Sequence, residues 1–271
     1  MMRTAITVTL AVIWSMHGVF AGIVAWDGGN GNWSDNKWGG GSAWTANDTA
    51  QFTGADTVTV DAAFTADGLD FDAATTVDGA GPLTMDGSGS TPTVDVASGI
   101  SATLSATLAG SSGLKYQGGG TVDTSGTAGN TYTGDTVVDG TTVLYGNDTD
   151  FGSGGSSDTI TLTNGGRIEY VNTSSNLRFD QAINVASGQS GVIAASGGKR
   201  IKVKTGVQGA GTYIIDSNNW IRLDGSAATS DPSRVFQIDQ GTLGINDSNS
   251  TGGAAIVINS DGTLNHGNKG I

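Results

Sequence analysis

The side chains best suited to ligand chemistry fall into three groups, and the first is a tryptophan cluster near the N-terminus. Four of the six tryptophans, Trp26, Trp33, Trp38 and Trp44, lie in one short segment rich in Asp, Gly and Asn. Exposed indole rings stack on sugars, so one hypothesis is a carbohydrate-binding platform. We favour the alternative that these large apolar rings are buried and cover the open end of a repeat fold.

The second group consists of polar turns that could hold a cation. Asn147, Asp148 and Asp150 offer three oxygen ligands within one turn. The segment 28–32 distantly resembles a calcium-binding glycine-rich repeat, with Asn where Asp is expected. Calcium takes about six to eight oxygen ligands, and neither segment forms a tandem array. Ordinary turn chemistry of Asn and Asp is therefore the favoured interpretation; calcium is the alternative, and no other cofactor is predicted.

The third group is a single basic run, Lys199-Arg200-Ile201-Lys202-Val203-Lys204. Its alternation predicts a strand that turns Lys202 and Lys204 to one face and Ile201 and Val203 to the other. The cations, Lys199 and Arg200 included, could meet an acidic polysaccharide. The alternative is a solvent face that carries protective charge at a sheet edge.

Composition excludes several functions. The net charge of −13 argues against a nucleic-acid partner, which requires a basic surface. There are no cysteines, and the two histidines are His17 and His266, so neither a Ser-His-Asp triad nor a histidine-based zinc site is expected. Some parallel β-helices cleave acidic polysaccharides with calcium, aspartates and an arginine base, but no arginine here has a recognisable spacing to aspartate. The arginines available for such a role are Arg167, Arg178, Arg200, Arg222 and Arg234.

The N-terminus has the pattern of a secretory signal peptide. Arg3 precedes a largely apolar segment that ends at Phe20, and Val19–Ala21 forms an acceptable cleavage site. A second possible cleavage site follows Ala25. The alternative, an uncleaved membrane anchor, is disfavoured because the apolar stretch is short and no basic flank follows. The mature protein is therefore expected outside the cell or at the envelope surface, with no transmembrane helix after cleavage.

Beyond the tryptophan cluster, the chain repeats one sequence pattern. Short runs that alternate apolar and polar residues are followed by a turn with glycine, and no segment has a sustained helical period. Of the 25 acidic residues only Glu169 is a glutamate, which favours turns over helices. Repeats of about twenty to thirty residues predict a solenoid rather than a β-sandwich. Intervals of about twenty to thirty residues separate Gly99, Gly120, Gly140, Gly166, Gly188, Gly211, Gly241 and Gly262.

Two segments resemble the autotransporter-associated β-strand repeat family. The opening Trp26–Trp33 with Trp38 and Trp44 is similar to the start of such proteins, and 118–138, with its Asn130-Thr131-Tyr132-Thr133-Gly134 phrase, is similar to their central repeat. The similarity covers about residues 26–170. It implies a passenger-type parallel β-helix at a bacterial cell surface. Family members often end in a membrane barrel or a sorting segment, so we expect this chain to be truncated at its C-terminus.

These patterns predict an all-β protein, a parallel β-helix or β-solenoid of roughly ten coils with an N-terminal Trp-rich cap. The predicted divisions are a signal peptide at 1–21, the cap and first strands at 22–56, and solenoid repeats at 57–271. The predicted function is a non-catalytic secreted or cell-surface structural or adhesive passenger. The alternative is a polysaccharide-binding module or polysaccharide lyase. The predicted partner is an extracellular or cell-surface polysaccharide; the oligomeric state stays open.

Overall fold

The computed structural model describes residues 22–126, 129–223, 231–245 and 254–266. The predicted leader at 1–21 and the last residues, 267–271, lie outside these ranges, so the predictions of cleavage and of C-terminal truncation are not addressed by the fold. The described ranges contain only three helical segments, short 3-10 turns at Gly87–Gly89, Asp148–Phe151 and Gly155–Ser157. None of these is long or apolar enough to span a membrane.

Twenty-five strands make up the rest of the regular structure of the described residues. In chain order they are β1 (Ile23–Ala25), β2 (Gly31–Asn32), β3 (Thr49–Phe52), β4 (Thr57–Thr59), β5 (Phe64–Ala66), β6 (Gly68–Phe71), β7 (Thr76–Asp78), β8 (Leu83–Met85), β9 (Thr93–Val96), β10 (Ser101–Leu104), β11 (Leu108–Ala109), β12 (Leu114–Gln117), β13 (Thr121–Asp123), β14 (Thr136–Asp139), β15 (Thr142–Tyr145), β16 (Thr159–Thr163), β17 (Gly166–Tyr170), β18 (Leu177–Phe179), β19 (Ala182–Asn184), β20 (Ser190–Ala195), β21 (Ile201–Val203), β22 (Val207–Gln208), β23 (Thr212–Leu223), β24 (Val235–Ile245) and β25 (Ala255–His266).

The strands form three parallel sheets in which each strand pairs with its equivalent one coil away. The first sheet has the order β1-β3-β6-β9-β12-β14-β16-β19-β22. The second begins β2-β4-β7-β10-β13-β15-β17-β20-β23 and includes β18, β21, β24 and β25, while β5, β8 and β11 form the third. This arrangement is a β-solenoid of about ten coils, so the predicted fold class is confirmed.

The core is a set of straight stacks of inward-facing side chains. Because every coil repeats the alternation in the same register, inward-facing residues of successive coils lie directly above one another. The rings of Phe52 and Phe71, which are register partners, stack with centroids 5.0 Å apart. One complete stack of fully buried register partners runs through Ala50, Leu69, Val94, Tyr116, Val138 and Leu162.

The last described coils contain long strands that continue from one face of the solenoid onto the next. The first half of β23 pairs with β20, and its second half pairs with β21, which in turn pairs with β18. Register shifts against β24 between Ile215 and Trp220 mark the bend between the two halves. The second half of β23 therefore extends a short ladder whose outer face carries the basic run.

Glycine is required where neighbouring coils approach too closely for a side chain. A Cβ on Gly120 would lie 2.5 Å from the Ala97 carbonyl oxygen and 2.8 Å from that of Ile100. Among the described residues, a Cβ on Gly126 would meet only the Ser105 Cβ, at an ordinary 3.4 Å. Neither backbone has a left-handed φ, so the two positions differ in space alone.

We therefore expect Gly120→Ala to lower the free energy of unfolding by about 1–3 kcal/mol, the usual cost of overpacking. Gly126→Ala, the matched control, should be neutral or slightly stabilising, by at most about 1 kcal/mol, because it restricts the unfolded chain. Urea titration of both variants measures the difference. Equal stability of the two variants would contradict the inter-coil spacing described above.

Candidate functional site

The basic run forms strand β21 and its preceding turn, and the predicted alternation is confirmed there. Ile201 and Val203 are fully buried, whereas Lys202 is half-buried and Lys204 exposed on the outer side. Lys199 is half-buried and Arg200 exposed just before the strand. The run is not at the edge of its sheet, since β21 has β18 on one side and β23 on the other.

Register places two further cations beside Lys202. Arg178 of β18 is its direct partner on one side, and Arg222 of β23 is its direct partner on the other. Neighbouring strands lie about 4.8 Å apart, so three cationic side chains leave successive coils in one row along the solenoid axis. The next position in the row is Gly244, which has no side chain. A Cβ at Gly244 would lie about 3.6 Å from the Cβ and Cγ of Arg222.

A second row of side chains lies two residues before each of these three cations and includes an aromatic ring. Because Leu177, Ile201 and Ile221 are register partners, Asn176, Arg200 and Trp220 are neighbours in adjacent coils. The Arg200 guanidinium carbon lies 4.9 Å from the centroid of the Trp220 ring, a cation–π contact. The Asn176 side chain accepts a hydrogen bond of 3.0 Å from the Arg200 backbone amide, which fixes the turn before β21.

The two rows enclose a groove of about 270 Å³. That is slightly less than the roughly 300–1,000 Å³ of cavities that enclose a whole drug-sized ligand, so the groove suits a segment of a longer molecule. None of the described residues that line it is acidic. The lining residues are Asn176, Leu177, Arg178, Arg200, Ile201, Lys202, Trp220 and Arg222.

The groove is electropositive in an acidic protein. Burial lowers the pKa of the Lys202 ammonium, and the positive charges of Arg222, Arg178 and Lys204 lower it further. Asp180 lies at one margin, 3.4 Å from Lys204 Nζ and 3.9 Å from Arg178 Nε. Lys202 and its two register partners are among the residues that line the groove, and Lys204 is not.

The sequence indicated the basic run but missed how the groove is completed. The sequence pattern offers Arg178 and Arg222 only as candidate bases of an enzyme, and it predicts no role for Trp220 or Asn176. Arg178 and Arg222 each lie about one repeat from Lys202, so the repeat period already contained the signal. The remaining two arginines have other partners: Arg167 bonds Glu169 and Asp216, at 2.8 and 2.6 Å, and buried Arg234 donates to the Gly209 carbonyl.

The N-terminal tryptophans pack into a closed aromatic cluster. Trp33 and Trp38 are fully buried and Trp26 nearly so, while Trp44 is half-buried. Ring centroids are 4.8 Å apart for Trp33 and Trp38 and 4.6 Å apart for Trp38 and Trp44. Trp33 also contacts Phe52 of the first sheet. The cap is therefore confirmed, and the sugar-platform hypothesis is corrected for Trp26, Trp33 and Trp38, because buried ring faces cannot stack on a sugar.

Because of this burial, we expect Trp33→Ala and Trp38→Ala each to lower the free energy of unfolding by up to about 3–5 kcal/mol, the range for large aromatic truncations in a core. Ile23→Ala, at the same end but 65% exposed, is the control and should change it by less than about 0.5 kcal/mol. Thermal and urea unfolding test both. If both tryptophan variants unfold as the wild type does, the result would support the carbohydrate-binding platform instead of the cap.

The acidic turn at Asn147, Asp148 and Asp150 is explained by local hydrogen bonding. Asp150 is buried, and its Oδ2 accepts the backbone amides of Gly146 and Asn147 at 2.7 and 3.1 Å, which closes the 3-10 turn. Asp148 accepts the amide of Thr149. The described residues contain no group of three acidic, histidine or cysteine side chains arranged for a metal.

The comparisons with known proteins add no assignment: no family model, no curated protein and no solved structure matches this chain.

Proposed function

We propose that this protein is an exported, non-catalytic β-solenoid, a structural or adhesive passenger of the autotransporter-repeat type, that attaches to an acidic polysaccharide through its basic groove. The observation that supports this most directly is the row of Arg178, Lys202 and Arg222 in a chain of net charge −13. An anionic polymer that crosses the groove could contact cations of three adjacent strands at once.

The chemistry of the lining favours a carbohydrate acid. Guanidinium groups bind carboxylates through two parallel hydrogen bonds. An indole beside them offers an apolar surface for a sugar ring.

To test the groove, we would measure the affinity for polygalacturonate in calcium-free buffer at low salt. Arg178→Gln, Lys202→Gln and Arg222→Gln should each weaken binding by about three- to tenfold, since a charge-assisted contact is lost. Lys115→Gln on the first sheet, where Lys115 pairs with Asp139 at 2.7 Å, removes the same charge outside the groove and should change affinity little.

Two results would contradict the proposal. One is equal binding by the wild type and by the variant with all three groove substitutions. The other is the release of unsaturated oligosaccharides from the polymer, which would establish the lyase alternative instead. Added salt should weaken wild-type binding, because exposed charges are screened.

Export is supported by the predicted leader and by the environment of Gly22. The Gly22 amide nitrogen donates to Asp48 Oδ1 at 2.8 Å. Cleavage after Ala21 would convert this nitrogen into an ammonium group beside the Asp48 carboxylate, whereas cleavage after Ala25 would remove β1 from the first sheet. We therefore predict that mass spectrometry of secreted material finds Gly22 as the first residue. An intact Met1, or a chain that begins at Trp26, would contradict this.

A further inference from the structure

The turn that carries Arg200 is held by hydrogen bonds from both neighbouring coils. On one side, the Asn176 side chain accepts the Arg200 backbone amide at 3.0 Å, and the Leu177 amide donates to the Arg200 carbonyl at 2.9 Å. On the other side, the Asn219 side chain donates to the Gly198 carbonyl at 2.6 Å. The backbone of Arg200 is therefore fixed at the start of β21, although its side chain is exposed.

The Arg200 side chain is held by an aromatic ring and not by an acid. Its guanidinium carbon lies 4.9 Å from the centroid of the half-buried Trp220 ring in the adjacent coil. Among the described residues, no ion pair includes Arg200. Arg167, in contrast, pairs with Glu169 and Asp216. A guanidinium over an indole keeps its charge and its N–H donors, so Arg200 can bind an anion.

The contact between Arg200 and Trp220 decides between two roles for the indole. A free indole face would stack on a sugar ring. Here the guanidinium covers one face of a ring that is already half-buried, so that face is closed to a sugar. Cation–π packing uses the flat face of the guanidinium and leaves its N–H edge for a carboxylate. Trp220 thus serves the groove by orienting Arg200.

An arginine that is oriented in advance binds more tightly than a free one. A free arginine side chain loses rotamer freedom when it binds a ligand, and this loss of entropy weakens the affinity. Trp220 and the fixed turn already restrict Arg200. Much of the entropy loss has therefore occurred before a ligand arrives.

We infer, on the basis of the proposed function, that Arg200 is the residue of the groove that recognises a carboxylate of the polysaccharide, through two parallel hydrogen bonds. Trp220 and Asn176 are positioning residues that act through Arg200. The affinity for a sugar acid then depends on the planar guanidinium fork as well as on positive charge.

The role of Arg200 is tested by the affinity for polygalacturonate in calcium-free buffer at low salt. Arg200→Gln should weaken binding by about tenfold or more, because a bidentate charged contact is lost. Arg200→Lys retains the charge without the fork and should still weaken binding by about threefold or more. Lys199→Gln is the matched control, since it removes a charge from the same turn but outside the groove lining. It should change the affinity by less than about twofold.

The role of Trp220 is tested in the same assay. Trp220→Leu should weaken binding by about two- to tenfold, because the ligand must then order Arg200. Trp220→Phe keeps an aromatic face and should bind within about twofold of the wild type. When Arg200 is already replaced by Gln, Trp220→Leu should have no further effect beyond about twofold. If the two effects multiply instead, the indole contacts the sugar itself and the positioning role is overturned.

Tryptophan fluorescence supplies a readout that a purely structural role would not move. Trp220 is the one tryptophan of the described residues that lies outside the N-terminal cluster. Saturating polygalacturonate should therefore change the emission of the wild type and of Lys199→Gln, but not that of Trp220→Phe or Arg200→Gln. Arg200→Gln should unfold at the wild-type temperature, because the side chain is exposed.

The outcomes separate this inference from the proposed function. If Arg200→Gln binds as the wild type does while Arg178→Gln, Lys202→Gln and Arg222→Gln weaken binding, the polysaccharide function stands and the role of Arg200 is wrong. If Arg200→Lys binds as tightly as the wild type, charge alone suffices and recognition by the fork is wrong. If the wild type binds no polygalacturonate, the proposed function fails and this inference fails with it.

Discussion

The backbone pairing of each coil with the next, parallel and in register, is the constraint on which the other features of this protein depend. It fixes the distance between coils at one strand spacing and so places equivalent side chains directly above one another. Inside, this produces continuous stacks such as the one that contains Leu69, Val94 and Tyr116. At the corners, it brings backbones so close that positions such as Gly120 must remain without a side chain.

The same register organises the outer surface into rows. Some charged side chains there have a partner of opposite sign, as Arg167 has in Glu169 and Asp216 and Lys115 has in Asp139. Elsewhere, acids stand in adjacent coils: Asp70 pairs in register with Asp95, and its pKa is raised by burial and by the charges of Asp72 and Asp95. The basic groove is the reverse arrangement, with cations in successive coils, and its composition differs from that of the acidic chain around it.

The two ends of the described solenoid differ in how the core is covered. At the N-terminal end, Trp33 and Trp38 close the first coil with buried rings, so the cap is an extension of the core. At the other end, β25 pairs with β24, and Val257 and Ile258 are about half exposed. The N-terminal rings take the place of a preceding coil, because in a repeat fold each inner coil buries its neighbours' apolar surface.

The sequence by itself determined the architecture. Composition, glycine period and strand alternation predicted a capped parallel solenoid, and alternation alone assigned Lys202 outward and Ile201 inward. The tertiary structure decided which distant residues meet. The connections between strands vary in length, so the register between coils, which joins Arg178 and Arg222 to Lys202, does not follow from local pattern. Burial of the tryptophans and the use of Asp150 as a turn acceptor also depend on packing between coils, since the same residue types could equally have faced a ligand.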